Sequence, residues 1–89
     1  MRAVVTVIGK DKVGIIASLS NILARCNVNI LDISQTTMQD VFTMIMLVEI
    51  SGLSIPFVEL SEQLEKKGVE IGLSVRIQHE DIFNSMHQI

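Results

Sequence analysis

Gly9-Lys10-Asp11-Lys12-Val13-Gly14 decides the fold, because this stretch joins two segments of different periodicity. The segment before it, from about Arg2 to Ile8, is rich in β-branched residues and predicts a strand. After it, apolar residues recur at helical spacing from Ile15 to Cys26, which predicts a helix that starts near the second glycine. A glycine-bounded turn at a helix N-terminus presents free N–H groups and the positive end of the helix dipole. The loop is therefore a candidate carboxylate or phosphate site, although a sharp strand-to-helix turn needs glycines for steric reasons alone.

The next segments predict an antiparallel hairpin. Asn27 is expected to end the first helix, because asparagine tolerates the left-handed conformation. Two strands, from about Asn29 to Met38 and from about Val41 to Ile50, flank a tip at residues 39–40. The second of these strands is apolar on both of its faces, whereas strands of such a sheet normally turn one polar face to water.

A second helix and a fourth strand complete the pattern. Ser54 is placed to cap the helix and Pro56 lies in its first turn. Gly68 is expected to follow the helix as its C′ residue, with Lys66 and Lys67 complementing the dipole in the last turn. The alternation of apolar and polar residues at positions 71–78 predicts the last strand.

The order of these elements is β-α-β-β-α-β, which predicts an α+β, ferredoxin-like fold. It has a four-stranded antiparallel sheet with both helices on one face. The chain of 89 residues is interpreted as a single domain, with a core at 1–78 and a C-terminal tail at 79–89. Apolar residues at positions 82, 83 and 86 give the tail a short helical stripe. The second apolar face of the third strand needs a cover, which we expect from a homodimer or a higher oligomer and in part from the tail.

Composition narrows the classes of function. A net charge of −3 argues against nucleic-acid binding, as does a predicted sheet in which Phe42 is the one aromatic residue. No apolar run reaches the ~18–20 residues of a membrane span, and the N-terminus lacks the pattern of a signal peptide. We therefore expect a cytoplasmic protein that does not enter a membrane.

No pattern predicts an enzyme, a metal site or a cofactor site. Cys26 falls on the buried stripe of the first helix, more than fifty residues from either histidine, and is interpreted as a small hydrophobe. The one cluster with ligand chemistry consists of His79, Glu80, Asp81 and His87, but its spacing fits a solvated tail better than a zinc site.

The chain resembles the ACT domain in two segments, Asp11-Lys12-Val13-Gly14-Ile15-Ile16 and, one helix later, Asn27-Val28-Asn29-Ile30-Leu31-Asp32-Ile33-Ser34-Gln35. The resemblance extends from the first strand to the fourth. It is strongest with small stand-alone ACT proteins and with the ACT units of the glycine cleavage system repressor and of formyltetrahydrofolate deformylase. It implies a regulatory module that binds a small molecule, often an amino acid, between paired domains.

The resemblance also implies a set of ligand-binding residues. Asp11 takes the loop position whose side chain contacts ligand, and Gly14 allows close approach of the backbone. Asn29 takes the position that hydrogen-bonds the ligand from the facing subunit. Pocket walls or backbone contacts come from Val13, Ile15 and Ile30, and the loop cation Lys12 belongs to the same set. Many family members have proline where Val13 stands, and some serine-binding members have histidine where Gly9 stands, so the resemblance leaves the ligand open.

Two functions are carried forward from the sequence. The first is an amino-acid-binding regulatory homodimer without catalytic residues. The second is a structural or interaction module with the same fold, which docks a protein partner through the third strand, the hairpin or the tail.

Overall fold

The computed structural model describes residues 1–10 and 14–86. Its elements are β1 (Arg2–Lys10), α1 (Ile15–Arg25), β2 (Asn29–Met38), β3 (Val41–Glu49), α2 (Phe57–Ile71), β4 (Leu73–His79) and α3 (Glu80–Met86). The predicted β-α-β-β-α-β order and the short tail helix are both confirmed.

The four strands form one antiparallel sheet in the order β2-β3-β1-β4. Alternate residues of β1 point to opposite faces, so Ala3, Val5 and Val7 enter the core while Thr6 and Ile8 face away from it. Both α1 and α2 cover the first face, which we call the helix face. The other side of the sheet is called the open face.

The core lies between the helix face and the two long helices, and it is built almost entirely from aliphatic residues and methionine. Its fully buried members include Leu19 and Leu23 of α1, Met44 of β3, and Leu60 and Leu64 of α2. Cys26 is buried against this cluster, as the sequence predicted.

The two ends of α1 have left-handed residues. Gly14 precedes the helix with a φ of 84°, and Asn27 follows it with a φ of 61°. The Asn27 side chain then donates a hydrogen bond of 2.7 Å to the carbonyl of Gly52, which ties the end of α1 to the loop before α2. The predicted role of Asn27 is therefore confirmed.

The predicted bounds of α2 were wrong at both ends. Pro56 rather than Ser54 holds the N-cap position, and it makes no side-chain capping bond. At the other end the helix continues through Gly68 to Ile71, and Gly72 is the left-handed cap with a φ of 79°. Ile71 consequently belongs to the helix and not to the last strand.

Gly68 serves a packing role that the sequence did not reveal. A Cβ atom at this position would lie 2.7 Å from Val75 Cγ2 and 2.9 Å from the carbonyl oxygen of Leu73. The glycine therefore lets α2 approach β4 closely. Because the helix ends one turn later, Lys66 and Lys67 lie before its last turn, which holds no basic residue.

The open face carries apolar residues of β3, as expected for a strand that is apolar on both faces, and apolar residues of β1 and β2 as well. Val41 is 47% exposed and Met38 is 71% exposed, and both lie at the hairpin end of the face. Val4 lies on the open face too, outside the core cluster, yet it is only 5% exposed. The difference arises because α3 lies beside β1 and β4, where Gln78 Nε2 donates to Met86 Sδ at 3.1 Å. The described part of the tail, α3, therefore covers the β1–β4 half of the open face and does not cover the β2–β3 half.

Candidate functional site

The predicted anion site is built on the left-handed glycine that starts α1. The amide of Ser18 donates to the Gly14 carbonyl at 3.0 Å, so the helix begins directly after this residue. No side chain in the described ranges caps this end, and the first turn of α1 holds no acidic residue. Its first N–H groups and the positive end of the dipole are thus available to a ligand.

Gly9 and Gly14 have different steric reasons to be glycine, side-chain packing at Gly9 and backbone conformation at Gly14. Gly9 lies on the helix face, and a Cβ there would collide with the Leu73 side chain. Gly14 has open space around its missing side chain, and its positive φ is what favours glycine. Three predicted site residues, Asp11, Lys12 and Val13, fall outside the described residues.

Ile15 and Ile30 contribute to the core more than to a surface pocket. Ile15 is 3% exposed inside the core cluster, and Ile30 packs against the same cluster from β2. Ile15 is the first residue of α1, so it can offer a ligand its backbone N–H group even though its side chain is buried.

Asn29 lies far from the loop within one chain. It pairs with Glu49, which pairs with Arg2, so Asn29 is at the end of the sheet where β1 begins. The loop follows Lys10 at the opposite end, about 26 Å away at ~3.3 Å per residue. The alternation of β2 also turns Asn29 towards the open face and Ile30 towards the helix face. One copy of the chain therefore cannot bring Asn29 and the loop onto the same small ligand.

β2 is an edge strand along its whole length. It pairs with β3 on one side, and most of its ten residues are exposed. A long uncovered edge presents a row of N–H and C=O groups that can pair with another strand. The hydrophobic pattern of the sequence gives β2 no sign of being at the edge, because edge position depends on strand order.

A polar cluster at the chain's amino end was missed by the sequence reasoning. The ammonium group of Met1 donates to Glu49 Oε2 at 2.7 Å and to Ser51 Oγ at 2.8 Å. The ammonium group, and after it the Ser51 hydroxyl that donates to Glu49 Oε2 at 2.6 Å, lower the pKa of the Glu49 carboxyl to about 2. Arg2 forms a neighbouring ion pair of 2.9 Å with Glu80. Each charged group of this cluster is paired with another, so the cluster holds β1, β3 and α3 together.

Residues 1–10 and 14–86 give little support to a metal site, a histidine-based site or a membrane span. This part of the chain holds no group of three His, Cys, Asp or Glu side chains able to bind a metal ion. His79 stacks on Phe57, with ring centroids 4.2 Å apart, and so joins β4 to the start of α2. His87 lies outside the described residues. None of the described helices is long and apolar enough to cross a membrane.

Comparison with known proteins supports the fold described above. The family model of the ACT domain matches residues 2–78. A UPF0237 protein of Clostridium acetobutylicum is 55% identical over 89 residues, which is all of both chains. The solved structure of an ACT domain protein from Streptococcus pneumoniae is 40% identical, with a TM-score of 0.80 and 93% of each chain covered.

A larger protein contains the same arrangement as one of its parts. A formyltetrahydrofolate deformylase from Pseudomonas syringae is 26% identical with a TM-score of 0.77, over 88% of this chain and 27% of that one. The likeness confirms the predicted ferredoxin-like fold and the predicted resemblance to the ACT unit of such deformylases. With a family model that spans strands β1 to β4, and a sheet and helices in the matching order, the chain belongs to the ACT domain family.

Proposed function

We propose that this protein is a cytoplasmic regulatory module that binds a free amino acid between two copies of the chain and is not itself an enzyme. ACT domains are usually ligand-binding regulatory units, and membership of this family supports the proposal. The observation that carries the proposal is the N-terminus of α1 behind Gly14, which no side chain of residues 1–10 or 14–86 caps. A carboxylate placed there accepts hydrogen bonds from backbone N–H groups and gains from the helix dipole.

An amino acid suits the loop better than a phosphate. Its carboxylate fits the helix N-terminus, and its ammonium group needs an acceptor nearby. The sequence supplies Asp11 three residues before Gly14, and this carboxylate would repel a phosphate. Asn29 supplies a second acceptor if a partner subunit brings it close.

A two-fold pairing of β2 edges is the arrangement that brings Asn29 close. In an antiparallel β2–β2 pair centred between Ile33 and Ser34, Asn29 of one copy lies opposite Met38 of the other. Met38 pairs with Val41, and Val41 with Lys10. Asn29 would then be three strand spacings from the start of the loop, about 14 Å instead of about 26 Å. The loop residues and a bound amino acid can span that gap.

The first experiment is a thermal-unfolding panel with each common amino acid, together with a mass measurement. We expect one or a few amino acids to raise the midpoint of a dimer, and Asn29→Ala to abolish the rise. Asn21→Ala is the matched control, because Asn21 is an exposed asparagine on α1. A monomer, or a panel in which no amino acid raises the midpoint, would contradict the proposal.

The bare half of the open face favours a second candidate function. Met38 and Val41 are large exposed apolar residues next to the hairpin tip, and such surfaces mark protein contacts. In this alternative the same dimer acts by docking a protein partner. If Asp11→Ala leaves the cellular function intact while truncation after Gln78 destroys it, the docking function is favoured over amino-acid binding.

A further inference from the structure

We propose that the groove between α3 and the open face, here called the α3 groove, is a separate site for a small carboxylate with an apolar tail. Its volume is about 480 Å³, within the range of small-molecule pockets. The floor includes Ile8, Ile45, Ser74 and Arg76, and the wall includes Phe83 and Met86. None of the predicted ACT-type ligand residues lines it, so the site does not depend on the loop.

Arg76 is the cation that lines the groove, and it favours a negatively charged ligand. Among the described ion pairs none involves Arg76, so its charge is not neutralised by a carboxylate of residues 1–10 or 14–86. Two carboxylates at the end of the sheet where β1 begins are already engaged, Glu80 with Arg2 and Glu49 with the N-terminal ammonium. Asp32 lies on the far edge strand, about 14 Å away across three strand spacings.

Hydroxyl groups next to Arg76 offer further polar contacts to the same anion. The strand register places Thr6 directly beside Arg76, and Ser74 precedes it by two residues on the same face. Guanidinium groups bind carboxylates through two parallel hydrogen bonds, and hydroxyl groups can donate to the remaining lone pairs. This half of the α3 groove therefore matches a carboxylate.

The rest of the groove is mainly apolar, with Thr43 and Gln78 as its other polar residues, and its apolar part favours an aliphatic end of the ligand. Ile8 is 46% exposed and Ile45 is 37% exposed, and both would lose contact with water under an aliphatic chain. Met86 closes the groove from α3, where its flexible thioether can adapt to ligands of different length. No Asp or Glu lines the described groove, so it lacks a carboxylate to pair with the ammonium group of an amino acid. The two sites thus differ in the class of ligand that they select.

Titration of the full ¹⁵N-labelled chain with hexanoate tests this inference. We expect hexanoate to shift the amide signals of residues 74–78 and 83–86, while hexylamine and hexanamide bind much more weakly. Arg76→Gln should weaken hexanoate binding by about tenfold or more, since a charge-assisted hydrogen bond is lost. Arg76→Lys should restore part of the affinity.

Two control variants distinguish binding in the α3 groove from the loss of any exposed arginine and from binding at the loop. Arg25→Gln removes an exposed arginine of α1 and should leave hexanoate binding unchanged. Asn29→Ala should also leave it unchanged, even though it abolishes amino-acid binding at the other site. The inference is overturned if millimolar hexanoate shifts no signal in the groove or if Arg76→Gln binds it equally well. It is also overturned if raising the protein concentration alone shifts the same signals, because a second copy then fills the groove.

Discussion

Replacing Gly68 with alanine tests how closely α2 packs on β4. Helix propensity alone favours alanine at this interior helical position by about 1 kcal/mol. The new Cβ, however, would lie 2.7 Å from Val75 Cγ2 and 2.9 Å from the Leu73 carbonyl oxygen. The valine side chain can rotate, but the carbonyl belongs to the β4 backbone and cannot move without displacing the strand.

The packing cost is expected to exceed the propensity gain. Overpacking a well-filled site costs roughly 1–3 kcal/mol, so the net loss in the free energy of unfolding is about 1 kcal/mol. For a domain of this size such a loss lowers the melting temperature by about 4–8 °C. Circular dichroism at increasing temperature measures the shift, and Lys66→Ala on the exposed side of α2 is the control. A Gly68→Ala variant that melts at a higher temperature than the parent would refute the close-packing argument.

Further predictions concern the amino-terminal cluster and the core. The pKa of Glu49 is lowered from 4.5 to about 2, so its ionised contacts stabilise the fold above pH 4.5, and this contribution is lost as the pH falls towards 2. Carboxyl NMR titration should find this midpoint near 2, and acetylation of the N-terminus should raise it towards 4.5; a midpoint that does not respond would contradict the assigned cause. Leu64→Ala should cost about 2–5 kcal/mol in urea unfolding because Leu64 is fully buried. Val69→Ala, on the exposed side of the same helix, should cost less than about 0.5 kcal/mol, and equal losses would contradict the placement of the core.

The order of elements could be predicted because each has a strong local signal. The helical spacing from Ile15 to Cys26 and the alternation from Leu73 to Ile77 repeat over several turns or residues. The ends of α2 could not be placed the same way. Gly68 and Gly72 are both plausible caps by residue type, and only the contact of α2 with β4 shows that the first is a packing residue.

The site could be predicted only in part, because some of its features depend on contacts between residues that are distant in the sequence. The loop before Gly14 could be found because it lies between two periodic segments. The separation of Asn29 from that loop depends on the strand register, which the sequence alone did not give. The pairing of the Met1 ammonium with Glu49 depends on the same register, since β1 and β3 meet at that end of the sheet.

Mixing two defective variants tests most directly the claim that the ligand site is shared between subunits. Asp11→Ala and Asn29→Ala should each abolish binding of the amino acid that the thermal panel selects. When equal amounts are unfolded and refolded together, half of the dimers combine both variants, and each mixed dimer contains one intact site. Calorimetric titration should then recover about one quarter of the parent's binding capacity, as two-fold symmetry requires. A mixture that binds no ligand, although both variants form dimers, would show that each chain builds its site alone.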